Sequence, residues 1–245
     1  MNTVAIGLQV LSALILAVLT YDIFRRYQEH RGTHKHLLFW GAGLAMFGIA
    51  SLCGAMLDVT WNEFAFIGWF LFGVVLNAAW IGEGTLHLLF RRRWTDIVSI
   101  ILVLASVLVL VIFLSTPLNG APCQSGCPIF QTYKQILQPN ALALRPITPI
   151  FNIYGTLTLV GGALWSSYLF YRKQILPNRV VGNVLIAAAA LAVAAAGSLA
   201  AIGQGEVHVI AQLIFSVLMY AGFVIASRPA AVEATGMSGP QVAQA

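Results

Sequence analysis

Seven apolar runs, each long enough to cross a bilayer as a helix, constrain this chain before any single residue is considered. They lie near residues 3–24, 37–57, 64–90, 96–115, 149–171, 181–202 and 207–227, and a spanning helix needs about 20 residues. Backbone in lipid must satisfy its own polar groups, which leaves helices or a closed barrel. Barrel strands alternate apolar and polar residues, and these runs do not. Only 9% of the residues are charged, against roughly a quarter in soluble domains, and the mean hydropathy is +0.85. The fold expected is all-α: a polytopic membrane protein built as a seven-transmembrane-helix bundle. The alanine-rich sixth run, NVLIAAAALAVAAAGSLAAIG, is the weakest signal, because alanine inserts less favourably than leucine.

Orientation is read from the basic residues, which concentrate in cytoplasmic loops. Eleven of them flank alternate connections: Arg25, Arg26, Arg31 and Lys35; Arg91, Arg92 and Arg93; Arg172, Lys173 and Arg179; and Arg228 after the last run. Lys134 and Arg145 alone fall on the other side. The expectation is an outside amino terminus and a cytoplasmic carboxyl terminus, in a bacterial plasma membrane. The formal charge of +5 is then topological, which sets aside a nucleic-acid partner and leaves the lipid bilayer as the first one. Charges that follow the first apolar run instead of preceding it argue against a cleaved signal peptide.

One domain is expected over residues 1–228, with a disordered cytoplasmic tail over 229–245. The exceptional connection is the outer loop 116–149, since connections longer than about 15 residues are uncommon and often functional; a short surface helix is expected around IFQTYKQIL. All nine prolines read as lying in loops or at helix boundaries, so proline-broken helices of the kind that build many transporter sites are not expected. A three-plus-one-plus-three repeat receives little weight, because aromatic belts and inner basic residues reproduce its signals. Glycines at about four-residue spacing inside the runs are read mainly as close-packing positions.

The stretch AWIGEGTLHLLFRRR holds the main candidates. Glu83 precedes Arg91 by eight residues, roughly 12 Å of helix. His87 follows by four residues and Trp80 precedes by three, which puts all three on one face; Asn77 lies deeper. Ionisable groups within a membrane are costly and often mark functional sites, so Glu83, His87, Trp80 and Asn77 are candidates for a ligand or proton site. The alternative is a local polar contact near the inner surface. Asp22 reads as an interfacial ion pair with Arg25 or Arg26. Asp58, Glu63, Glu206 and His208 cluster at the outer helix ends, with Trp61 and Trp69 as interfacial anchors, and read as a hydrated surface in preference to a cation vestibule.

Cys123 and Cys127, in CQSGC, are expected to form a disulfide fastening the outer loop, while Cys53 reads as a packed small residue. Two thiols are too few for a zinc site. The histidines lie at unmatched depths for haem, all three lysines sit in loops or at their edges and so cannot carry retinal, and EHRGTHKH reads as a basic loop beside anionic lipid. No metal and no cofactor are expected. No serine, histidine and acid set is expected at one depth, so no catalytic residues are assigned.

The segments WGAGLAMFGIASL, NAAWIGEGTLHLLFRRR, TPIFNIYGTLTLVGGALWSSYLFYRK and NRVVGNVLIAAAALAVAAAG resemble a family of uncharacterised bacterial seven-helix membrane proteins, over nearly the whole chain. More remotely, the topology is similar to seven-helix sensor modules found in front of histidine kinases. The resemblance implies a membrane bundle and carries no functional residues with it. Three functions remain in view: a non-enzymatic sensor-like binder of a small amphipathic ligand or an accessory subunit of another membrane protein; a proton-coupled transporter using Glu83; and an enzyme acting on lipid or quinone.

Overall fold

The computed structural model describes residues 3–90, 92–123, 126–137, 144–173, 176–201 and 206–228, without the side chains of 144, 145, 201 and 206. The tail expected over 229–245 lies outside the described residues. Among the described residues, seven helices are long and apolar enough to cross a membrane: α1 (Thr3–Glu29), α2 (Lys35–Leu57), α3 (Glu63–Leu89), α4 (Arg93–Leu114), α5 (Leu144–Arg172), α6 (Pro177–Ala201) and α7 (Glu206–Ala226). No strand occurs among the described residues. This is the architecture of a multi-pass membrane protein.

Six of these helices close a ring in the order α1, α2, α3, α5, α6, α7 and back to α1. α4 stands outside the ring against α3 and α5. Its hydrophobic residues are largely exposed, among them Ile97, Ile101, Leu104 and Leu108, as suits a helix with lipid on most sides. Close packing holds the ring where the residues are small. A Cβ placed on Gly155 of α5 would meet the backbone of Ala78 on α3 at 2.2 Å, so the two backbones touch directly. Across the ring, Gln212 of α7 donates to Ser51 of α2.

The core has two halves. At the end bearing the long loop, Phe66, Trp69 and Phe70 of α3 pack with Phe113 of α4 and with Ile129 and Phe130 of the loop. At the basic end, Leu16, Leu19 and Ile23 of α1 pack with Leu44 and Phe47 of α2 and with Phe215 and Phe223 of α7. Trp69 is therefore a buried core residue and not the interfacial anchor expected of it.

Three further features depart from the sequence reading. α5 starts at Leu144, which places Pro146 in its first turn and Pro149 inside it. Pro146 costs nothing in the first turn, where amide hydrogens have no helical acceptor, whereas Pro149 deletes one internal bond. α3 is wound as a π-helix over Trp69–Leu76, a rare geometry that often accompanies functional sites. Asp22 makes no ion pair with its neighbours: Arg25 bonds Glu29 at 2.9 Å, and Arg26 donates to Ser227 at 2.7 Å and lies over the Phe223 ring.

The long loop folds back over one end of the ring. Its short helix spans Ile129–Leu137, and the Cys123–Cys127 disulfide is formed. Gly126 lies within that ring of residues at φ +87°, and a Cβ there would strike the Asp58 and Val59 carbonyls. Only glycine suits such a position, on conformation and on space alike. The Cys127 amide donates to the Leu57 carbonyl at 3.2 Å, docking the loop on the end of α2.

Candidate functional site

The polar residues picked out along α3 divide between two places, and helix geometry explains the division. Residues six apart differ by about 240° around a helix, so Asn77 and Glu83 cannot share one narrow face. Trp80, Glu83 and His87 turn toward α4, while Asn77 turns into the ring.

Glu83 is completely buried and anchors a hydrogen-bonded network. Ser99 of α4 donates to its Oε1 at 2.6 Å, and the Tyr154 hydroxyl of α5 donates to its Oε2. His87 Nε2 lies 2.7 Å from Ser99 Oγ and 3.4 Å from Glu83 Oε1. Its Nδ1 lies 3.4 Å from Thr95 Oγ1, and that hydroxyl donates to the Arg92 carbonyl at 2.7 Å. Phe39 of α2 stacks on the imidazole at 5.3 Å between centroids. Trp80 donates to Ser106 of α4 at 3.2 Å, a separate tie between the same two helices.

A serine, a histidine and an acid thus do occur at one depth, against the expectation from sequence. Ser99 was recoverable: it follows Arg91 by eight residues, as Glu83 precedes it by eight, so an antiparallel hairpin brings them level. The arrangement is not that of a nucleophilic triad, in which the acid holds the far nitrogen of the imidazole and the near nitrogen takes the serine proton. Here the serine proton points at Glu83, and the carboxylate faces the same nitrogen that the serine contacts. The network joins α3, α4 and α5 through a buried carboxylate whose two oxygens are both bonded.

Inside the ring, toward the loop end, lies a cavity of about 880 Å³. Gly73, Val74, Asn77 and Ala78 of α3 form one wall, with Asn152, Thr156 and Leu157 of α5 and Val193, Ala194 and Gly197 of α6 opposite. Phe47, Ile81, Leu159 and Phe215 form its floor, and Phe130, Tyr133, Lys134 and Leu137 of the loop helix form its roof. The lining on α6 runs from Ala190 to Ala200, about 15 Å at 1.5 Å per residue. Ile153 and Leu157 line it while remaining 58% and 68% exposed, so the wall at α5 opens toward the lipid-facing surface. At the basic end α5 and α6 meet through Val160, Ala163 and Ala187; the space appears where the small residues of α6 face α5 nearer the loop.

Polar groups are few and placed mainly at the loop end. His208 of α7 sits under the roof, its ring 4.2 Å from that of Phe130. Its Nδ1 is buried without a hydrogen-bond partner. Asn152 gives both amide hydrogens to backbone, to Val74 at 2.8 Å and Thr148 at 2.9 Å. The Val74 carbonyl lies in the π-helical segment, where the wide turn frees carbonyls from the α-helical pattern. Glu83, His87 and Trp80 do not line the cavity.

Of the residues expected on a hydrated surface at the outer helix ends, Asp58 and His208 are instead drawn into the packing. Asp58 accepts from Gln9 of α1 at 2.7 Å and lies near the Ile129 amide at the start of the loop helix. Burial raises its carboxyl above the ordinary range, and Gln9 and the Ile129 amide oppose the rise. Burial likewise raises the Tyr133 hydroxyl. His208 belongs to the cavity, and the Glu206 side chain lies outside the described residues. Among the described residues no three histidine, cysteine or acidic side chains converge as a metal site; the His30, His34, His36 and Trp40 rings instead form an edge-to-face ladder. Compared with protein-family models, curated proteins and solved structures, the chain has no match.

Proposed function

We propose that the protein is a non-enzymatic, sensor-like membrane protein that binds a small amphipathic ligand in the cavity between α3, α5 and α6. The observation carrying this reading is that cavity: about 880 Å³, within the few hundred to about 1,000 Å³ usual for small-molecule sites. Its walls are apolar and aromatic, its polar groups gather near one end, and one side is open toward lipid. A ligand partitioned in the bilayer enters such a site without crossing water. In the bacterial plasma membrane with the amino terminus outside, the cavity lies in the outer leaflet beneath the disulfide-fastened loop. The same protein serves as a subunit that passes ligand occupancy to a partner membrane protein.

Transport through Glu83 is the weaker reading, because its carboxylate is enclosed by Ser99 and Tyr154 and is absent from the cavity wall. Gly197 supplies the test. A Cβ at this position meets nothing within 4 Å, so Gly197→Phe fills the cavity without forcing neighbouring backbone apart. Native mass spectrometry of protein extracted with its surrounding lipid should find a small amphiphile retained by wild type and lost from Gly197→Phe. Equal retention by both proteins, or none by wild type, would contradict the proposal.

A further inference from the structure

The floor of the cavity is a thin partition. Ile81 of α3 and Leu159 of α5 line it from above, and from below they line a second, smaller void of about 20 Å³. The other walls of that void come from α1, α2, α6 and α7, among them Leu19, Leu44, Ile186 and Met219, and they present no polar atom to it. It has room for about one water but no partner to hold one, so only hydrocarbon suits it. Ile81 is fixed where it stands, since a Cβ on Gly43 of α2 would meet its Cγ1 at 2.5 Å and its amide nitrogen at 2.9 Å. Leu159 is the other half of the partition. Polarity is ordered along the same axis. α3 and α5 both run away from the loop, and the last polar groups they give to the lining are Asn77, four residues before Ile81, and Thr156, three before Leu159. Beneath them Phe47, Ile81, Leu159 and Phe215 offer only hydrocarbon and ring surface, the two phenyl rings meeting edge to face at 4.9 Å.

We infer that the ligand carries a hydrocarbon tail that points away from the loop and ends on Ile81 and Leu159, so that this pair sets the longest tail the site accepts. This rests on the cavity being a ligand site. A tail that stops at the partition fills the apolar end of the cavity. A longer one must force Leu159 aside or turn out past Leu157 into lipid. Overfilling a packed interior should weaken retention of such tails by roughly five- to 150-fold. Trimming Leu159 joins the two spaces, and the longest accepted tail then grows.

The probes are straight-chain primary alcohols from octan-1-ol to octadecan-1-ol, in which the head is constant and only the tail varies. They are supplied together in nanodiscs bearing the intact protein, and the amount of each retained is read by native mass spectrometry relative to its content in the lipid. Wild type should retain tails up to the length of the α6 lining, about 15 Å, and discriminate against longer ones. Leu159→Ala should move that limit to longer tails, and the milder Leu159→Val should move it the same way by less, which keeps the test open if the alanine variant folds poorly. Ile186→Ala enlarges the small void on the side away from the partition and should leave the wild-type limit in place. Retention by wild type with no upper limit, a limit that stays put in both Leu159 variants, or an equal movement in Ile186→Ala overturns the tail-length inference and leaves the cavity reading standing. No retention by wild type, or retention undiminished in Gly197→Phe, overturns the cavity reading itself.

Discussion

Glu83 is the residue at which burial and charge conflict most sharply. Its side chain is sealed from solvent, and the conflict is met by two hydroxyl donors and an imidazole. Glu83→Gln keeps an acceptor for Tyr154, and Ser99 can turn its proton to the Thr95 carbonyl, 3.1 Å away. Its cost should stay below about 1.5 kcal/mol. Glu83→Leu strands the Tyr154 hydroxyl and removes the carboxylate's bond to Ser99, leaving His87 as the link to α4 at this level, and should cost about 1–3 kcal/mol more. Thermal unfolding in detergent distinguishes the two, and equal losses would show that the carboxylate is not what holds these helices. Asp58 carries the pH dependence. Its carboxyl is raised in the folded state, so the folded protein binds that proton more tightly than the unfolded chain does. Stability contributed by the protonated form is therefore present at acid pH and lost as pH rises above the ordinary value of 3.8. Asp58→Asn should flatten the fall in melting temperature as pH rises above 3.8, and an unchanged slope would remove Asp58 from the account.

Elements were legible from sequence wherever apolar length alone decides, which is why the seven spans fall within a few residues of their expected positions. α5 escaped at its start because Pro146 and Pro149 look like stops, yet one occupies a turn that has no amide bonds to lose and the other lies where α5 faces the cavity. The π-helical turn lies in WFLFGVVL, an apolar run whose composition does not distinguish it from an α-helix. Ser99 escaped for a simpler reason: depth was judged helix by helix, and the match with Glu83 exists only across the α3–α4 hairpin. The crossing of α3 and α5 tests the packing directly. Gly155→Ala puts a methyl group 2.2 Å from the Ala78 carbonyl carbon, where only backbone could yield, and should destabilise by at least about 1–3 kcal/mol. Because α5 supplies a cavity wall, retention of the small amphiphile should weaken with it. Wild-type stability in Gly155→Ala would mean that the backbones are not in contact.

At the scale of the whole molecule, the ring of six helices with α4 outside it explains why one side chain network is enclosed between three helices while a cavity stays open between others. Volume of this sort cannot be read from a sequence: alanine and glycine along α6 signal close packing as readily as empty space, and only the tertiary arrangement separates the two outcomes. The proposed orientation rests on eleven basic residues against two. A cysteine introduced at residue 238 should react with an impermeant reagent only after the membrane is opened, and reaction in intact cells would invert the orientation and move the cavity to the inner leaflet. The central claim, that the space between α3, α5 and α6 is a ligand site, is tested most directly by a crystal structure grown from lipidic phase. The account predicts an elongated non-protein density lying along α3 and α6, with its polar end toward the loop helix. Side chains collapsed into that space, or a file of water running from it to Glu83, would contradict the account.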